Sequence, residues 1–190
     1  MATETEVSTE RISMTHDRLP NMTMAQVIND NMNTIRAPKF TSEEQEFAGK
    51  LQKSYNASQI GLDSSVQPIN TGSHGVSDNS EHTWFAPTGI LRVVCYPRGV
   101  VSHSWGVSAC TGSSIGKKAL DVVAKILASS AIDLIGNPKI IAEAKKELTE
   151  KLNGKKYTSF IPETIKPPVT INRTIMDRFR PLQEKYYEEP

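Results

Sequence analysis

Within residues 102–127, SHSWGVSACTGSSIGKKALDVVAKIL, two features have residue types and spacings that bear on chemistry. The first is the glycine loop Gly112 to Gly116, followed by Lys117 and Lys118. A phosphate-binding loop needs G-x-x-x-x-G-K-[ST], because four intervening residues let backbone N–H groups wrap the phosphates while the hydroxyl holds magnesium. Here three residues separate the glycines, and Lys118 takes the hydroxyl position. Both departures remove a working part, so TGSSIG reads as the entry to a helix, capped by Ser113 or Ser114, with at most a weak anion contact at its start. The second feature is His103, which lies between an apolar, strand-like run and the glycine-rich stretch. A side chain at such a place can project from a strand end into a cleft. Imidazole serves equally as a packing group and as a metal ligand, and the residues alone leave both readings open.

The elements that must position these residues form a mixed inventory. Residues 4–14, ETEVSTERISM, alternate weakly and predict an edge strand that Pro20 ends. Thr23 with Gln26 predicts a capping box ahead of a helix whose face carries Met24, Val27, Ile28 and Ile35 and which ends near Ala37 and Pro38. Thr41 with Glu44 predicts a second one, followed by Phe47, Leu51 and Tyr55 on one face. The carboxylates of SEEQE, residues 42–46, read as a solvated face. Residues 58–80 are rich in Ser, Gly, Asn and Asp and read as a long loop. GILRVVCYP, residues 89–97, is nearly continuous in apolar, β-prone residues and predicts a strand covered on both faces, with a short extended piece after the PRG turn. A broad apolar stripe from Ser114 predicts a long helix stopped by Gly136. Asn137 and Pro138 then open another helix, with Ile141, Ala144, Leu148 and Leu152 on its face and Gly154 past its end. The proline-rich remainder predicts an extension without regular structure.

Composition narrows the classes. A chain of 190 residues can bury a real core as one domain, and 22 Lys plus Arg against 21 Asp plus Glu give no electrostatic case for nucleic acid or an anionic membrane. Cys95 and Cys110 lack C-x-x-C spacing and read as buried thiols of a reducing compartment. The polar, acidic start is unlike a secretory signal, and no run reaches the roughly 20 apolar residues of a membrane span. The expectation is a cytoplasmic protein.

Residues 77–134, from SDNSEHTW through HSWGVSACTGSSIGKKALDVVAKILASSAIDL, resemble the C-terminal part of the zinc-dependent amidohydrolases of the aminoacylase and carboxypeptidase group, nearest the aminobenzoyl-glutamate hydrolase branch. Residues 19–52 resemble the place where that branch leaves its inserted lid domain and re-enters the catalytic domain, and the likeness runs over about residues 5–168. It implies an α/β fold: the C-terminal section of a three-layer catalytic domain, helices flanking a mixed sheet that is incomplete in this chain. Residues 1–18 would then end a lid or dimerisation domain, 19–154 would belong to the catalytic domain, and 155–190 would be an extension.

The same resemblance implies that His103 is the last ligand of a paired metal site, with Ser104 leaving it room, and that Asp78 and Glu81 stand beside the cleft as substrate-orienting or ligand-orienting carboxylates. An ordinary turn or cap is the other reading of those two. His82 takes a position usually apolar in the branch, either a polar addition to the cleft or a solvent-facing side chain, and Lys117 replaces a histidine. The branch's H-x-D motif, its Glu-Glu pair and its further ligand have no counterparts here. The implied function is the C-terminal segment of a hydrolase cleaving the amide bond of N-acyl, aminobenzoyl-glutamate-like amino acids or dipeptides. It is expected to be inactive alone, to require a divalent metal (zinc, with manganese or cobalt as alternatives), and to be completed by an N-terminal half or a second subunit, as a homo-oligomer. The rival reading is a non-enzymatic partner-binding or assembly module that keeps a remnant of the fold.

Overall fold

Asn21 opens the first helix of the structure, a computed structural model that describes residues 5–9, 11–70 and 77–187. His74, in the long loop, lies outside the described residues. The described residues form α1 Met22–Ile35, α2 Ser42–Ser54, α3 Trp105–Thr111, α4 Ser114–Gly136, α5 Pro138–Leu152 and α6 Arg173–Tyr187, with a 3-10 turn at Asp78–Trp84. None of them is in a β-strand. This corrects the α/β expectation: among the described residues no mixed sheet is present. Residues 89–97 carry strand composition, but a strand is defined by the ladder it shares, and among the described residues no second segment supplies one. The other strand-like pieces fail too, since residues 5–9 and 11–12 have no regular structure and residues 102–104 turn directly into α3.

The chain divides into two compact units, His16–Lys156 and the remainder, Met1–Thr15 with Tyr157–Pro190. The remainder holds α6, which has Pro181 inside it and no buried residue. The tail is therefore helical over this stretch, where the sequence reading has an irregular extension.

In the larger unit, α1 packs against α4 and α5, and α3 packs against α4. The start of α1 is fixed by side chains rather than by the expected Thr23–Gln26 box. Asn21 accepts from the Met24 amide at 3.0 Å and donates to the Ala144 carbonyl at 2.9 Å. The Glu147 carboxylate accepts from the amides of Met22 (2.7 Å) and Thr23 (2.9 Å), placing negative charge at the positive end of α1. Burial pushes this carboxyl up, but the bonds from Lys151, Met22 and Thr23 outweigh it and hold it at about 2.

The capping box of α2 forms as expected from Thr41 and Glu44. Behind it Ala48 and Leu51 join Leu62, Val100, Cys110 and Ile115 in a core onto which Val94, Tyr96 and Tyr55 pack. Glu44 is buried rather than solvated. It accepts from Ser114 Oγ and Lys118 Nζ, each at 2.6 Å, and the Lys118 bond, followed by the Ser114 bond, holds its carboxyl at about 2. The α2 helix thus fixes the start of α4, which follows His103 after the short helix α3.

Candidate functional site

Two anchored segments bracket His103. Val100 and Gly106 are buried, and between them residues 101–104 turn. The Ser104 hydroxyl donates to the Val101 carbonyl at 2.6 Å and accepts from the Tyr55 hydroxyl at 2.7 Å. The Tyr55 oxygen in turn accepts from the Gly106 amide at 3.2 Å, and the Tyr55 ring stacks on Trp105 with centroids 5.7 Å apart. Gly106 has to be glycine, because a Cβ there would lie 2.8 Å from the Tyr55 oxygen. His103 is the exposed apex of this pinned turn, with φ 58, the left-handed region that costs a non-glycine residue about 1 kcal/mol or more. Its imidazole enters no hydrogen bond or ion pair with the described residues.

Asp78, Glu81 and His82 lie on the 3-10 turn, whose bonds run to residues 16–19 instead. Glu81 accepts from the His16 amide at 2.6 Å and faces the His16 ring nitrogen Nδ1 at 3.1 Å. The Thr83 hydroxyl accepts from the Leu19 amide at 2.9 Å and donates to the Ser80 carbonyl at 2.6 Å. Trp84 donates its indole N–H to the Asp17 carbonyl at 2.8 Å, and its ring lies 4.7 Å from that of His16. Asp78 accepts from the Asn79 amide at 2.9 Å in a local turn, and His82 is exposed. The geometry therefore places Ser104 with His103, and places Glu81 in a clasp around the buried His16.

The glycine loop is a packing device. Gly112 ends α3, and the Ser113 hydroxyl accepts from the Ile115 amide at 3.2 Å to cap α4. A Cβ on Gly116 would lie 2.1 Å from the Thr111 carbonyl oxygen, so only glycine lets α4 start against the end of α3. Lys118 is committed to Glu44, and Lys117 is exposed.

Among the described residues no group of three or more His, Cys, Asp or Glu side chains is placed to hold a metal ion. A catalytic zinc needs about three protein ligands, so the donors of this chain do not by themselves fit the paired site that the resemblance implies. The two thiols do not add to it. Both are free, Cys110 is buried and Cys95 half-buried, and burial pushes both upward, away from the thiolate that binds metal.

The residues that shape the apex and that sequence reasoning missed are Tyr55 and Gln52. Tyr55 reads from its spacing as an apolar face residue, and its hydroxyl is the signal that a polar partner is needed. Gln52 is fully buried on α2, donating to the Arg98 carbonyl at 2.8 Å and accepting from the Gly61 amide at 2.9 Å. It holds the turn that precedes Val100. Among the described residues no helix is long and apolar enough to cross a membrane. No family model matches the chain, and no curated protein or solved structure matches it significantly.

Proposed function

We propose that this chain is one part of a two-part, metal-dependent amidohydrolase acting on N-acyl amino acids, inactive alone and completed by another polypeptide. The observation that supports this reading is the state of His103. An exposed imidazole held in a costly backbone conformation, on a turn anchored at Val100, Ser104 and Gly106 and bonded to none of the described residues, suits a group whose partner lies elsewhere. Its likeness in position to the last ligand of the aminobenzoyl-glutamate hydrolase branch supplies the chemistry. His103 would give one imidazole ligand, and the remaining donors would come from the completing chain. Tyr55 and Ser104 would hold the turn in place, so that the ligand is positioned before the two parts meet.

The test is reconstitution with a polypeptide carrying the missing donors. Purified alone, the chain should bind zinc weakly and leave N-acetyl amino acids and aminobenzoyl-glutamate uncleaved. Combined with the completing polypeptide, it should retain metal and hydrolyse the amide. His103→Ala should then lower metal content and turnover together by about 100-fold, while Lys117→Ala leaves both unchanged. Tight stoichiometric zinc binding by the chain alone, or full metal content and turnover with His103→Ala, would refute the proposal.

A further inference from the structure

Between α1, α4 and residues 92–98 lies a cleft of about 430 Å³, a volume suited to a small molecule. One part of its lining is apolar: Met32 of α1, Val94, and Val122 and the buried Ile126 of α4. The polar part is unbalanced in charge. Arg36, Arg92 and Arg98 stand there against one described carboxylate, Asp63. That carboxylate is already occupied. It accepts from the Ser65 amide at 2.8 Å, the Ser65 hydroxyl at 2.6 Å and Gln67 at 3.2 Å, and it faces Arg98, whose charge it offsets. Arg36 and Arg92 have no such answer, since among the described residues neither guanidinium donates a hydrogen bond or enters an ion pair. Arg36 also holds φ 73 and ψ 166 at the end of α1, a conformation close to glycine-only. An arginine is therefore kept at the cleft where glycine would cost the backbone less.

We propose that this cleft is a binding site for a small organic acid, an aryl or alkyl body carrying a carboxylate. The body lies against Met32, Val122 and Ile126, where its burial removes apolar surface from water on both sides. The carboxylate meets Arg36 and Arg92, because the planar guanidinium fork matches a carboxylate with two parallel N–H···O bonds. An anion without a body, such as inorganic phosphate, would leave the apolar lining facing water. A neutral apolar molecule would gain nothing from the two cations. Neither uses both halves of the lining. None of the lining residues belongs to the turn that carries His103, so occupancy is measured on the chain alone, without metal or a completing polypeptide.

The probe is 2-naphthoate, titrated into the full chain while the valine and isoleucine methyl groups are followed by NMR. The methyls of Val94, Val122 and Ile126 should shift and saturate with a Kd below about 1 mM. The uncharged 2-naphthamide, and the bodiless anions acetate and inorganic phosphate, should each bind at least about tenfold more weakly. Arg36→Gln with Arg92→Gln should weaken naphthoate by about tenfold or more. Lys139→Gln with Lys145→Gln removes the same charge from exposed positions outside the lining and should leave its affinity unchanged. All four side chains are exposed, so both variants should keep the methyl spectrum of the free wild type. Unmoved methyls of Val122 and Ile126 at about 10 mM naphthoate, equal affinity for the amide or for phosphate, or full affinity in the arginine variant would each overturn the proposal.

Discussion

The two histidines His16 and His103 sit in opposite kinds of surroundings. His16 is buried, its amide and ring both face Glu81, and Trp84 lies against it. His103 is exposed at a left-handed apex, and every bond near it serves the turn and not the imidazole. The first region is closed: its polar groups answer one another and fix the segment that leads into α1. The second is open: its neighbours are fixed and one functional group is left over. A polar residue whose partners lie in its own chain contributes to folding. One that is held in place without partners is available to something else.

Breaking the closed region should have the largest effect. Glu81→Ala removes the acceptor of the His16 amide and the carboxylate that faces its ring, at a cost of about 2–3 kcal/mol. Urea unfolding monitored by Trp fluorescence measures this. His103→Ala, in the open region, should change the same quantity by less than about 0.5 kcal/mol. Equal costs for the two would erase the contrast. Thr83→Val comes next, losing the acceptor of the Leu19 amide and the donor to the Ser80 carbonyl at nearly constant shape, for about 1–2 kcal/mol. A cost near zero would show that the 3-10 turn is held by packing alone.

Legibility followed the range of the interaction. The capping box of α2 needs Thr41 and Glu44, three residues apart, and was readable. So was the start of α5 at Pro138, where the ring's fixed φ suits the first helical position. Residues 89–97 read from composition as a strand covered on both faces but have no regular structure and bend at residues 95–96, because only a second segment makes a strand. The cap of α1 was misplaced because Thr23 has its hydroxyl on Glu147, which sequence distance conceals. Glu44 reads as solvated from sequence for the same reason: its partner Lys118 is 74 residues away. His103 was visible as a candidate from its flanks. Its left-handed conformation, and the commitment of Glu81 to His16, were not, since both depend on contacts across the fold.

The Glu44 ion pair sharpens the comparison through pH. Its folded carboxyl lies at about 2, below the ordinary value of 4.5, so its contribution is complete above about pH 4.5 and is lost as pH falls toward 2. The difference in unfolding free energy between the wild type and Glu44→Gln should therefore be constant from pH 7 to about 5 and shrink steadily below that. Denaturant titrations across that range check it. A difference independent of pH would mean that the Lys118 bond adds nothing to folding.

The smallest expected effect runs the other way. His103 has φ 58, where a Cβ crowds the backbone, and no bond of its imidazole to the described residues offsets that cost. Glycine accepts this conformation freely but loses more freedom on folding, by roughly 0.5–1 kcal/mol, which cancels part of the gain. His103→Gly should thus stabilise the isolated chain by about 0.5 kcal/mol, while His103→Ala, which keeps the Cβ, should not. The same glycine variant should lose metal and turnover in the reconstituted protein as fully as alanine does. Opposite signs for stability and activity from one substitution would mark His103 as a residue retained at a cost to the fold. Destabilisation by glycine would instead mean that the imidazole supports the turn, and that the open region is closed after all.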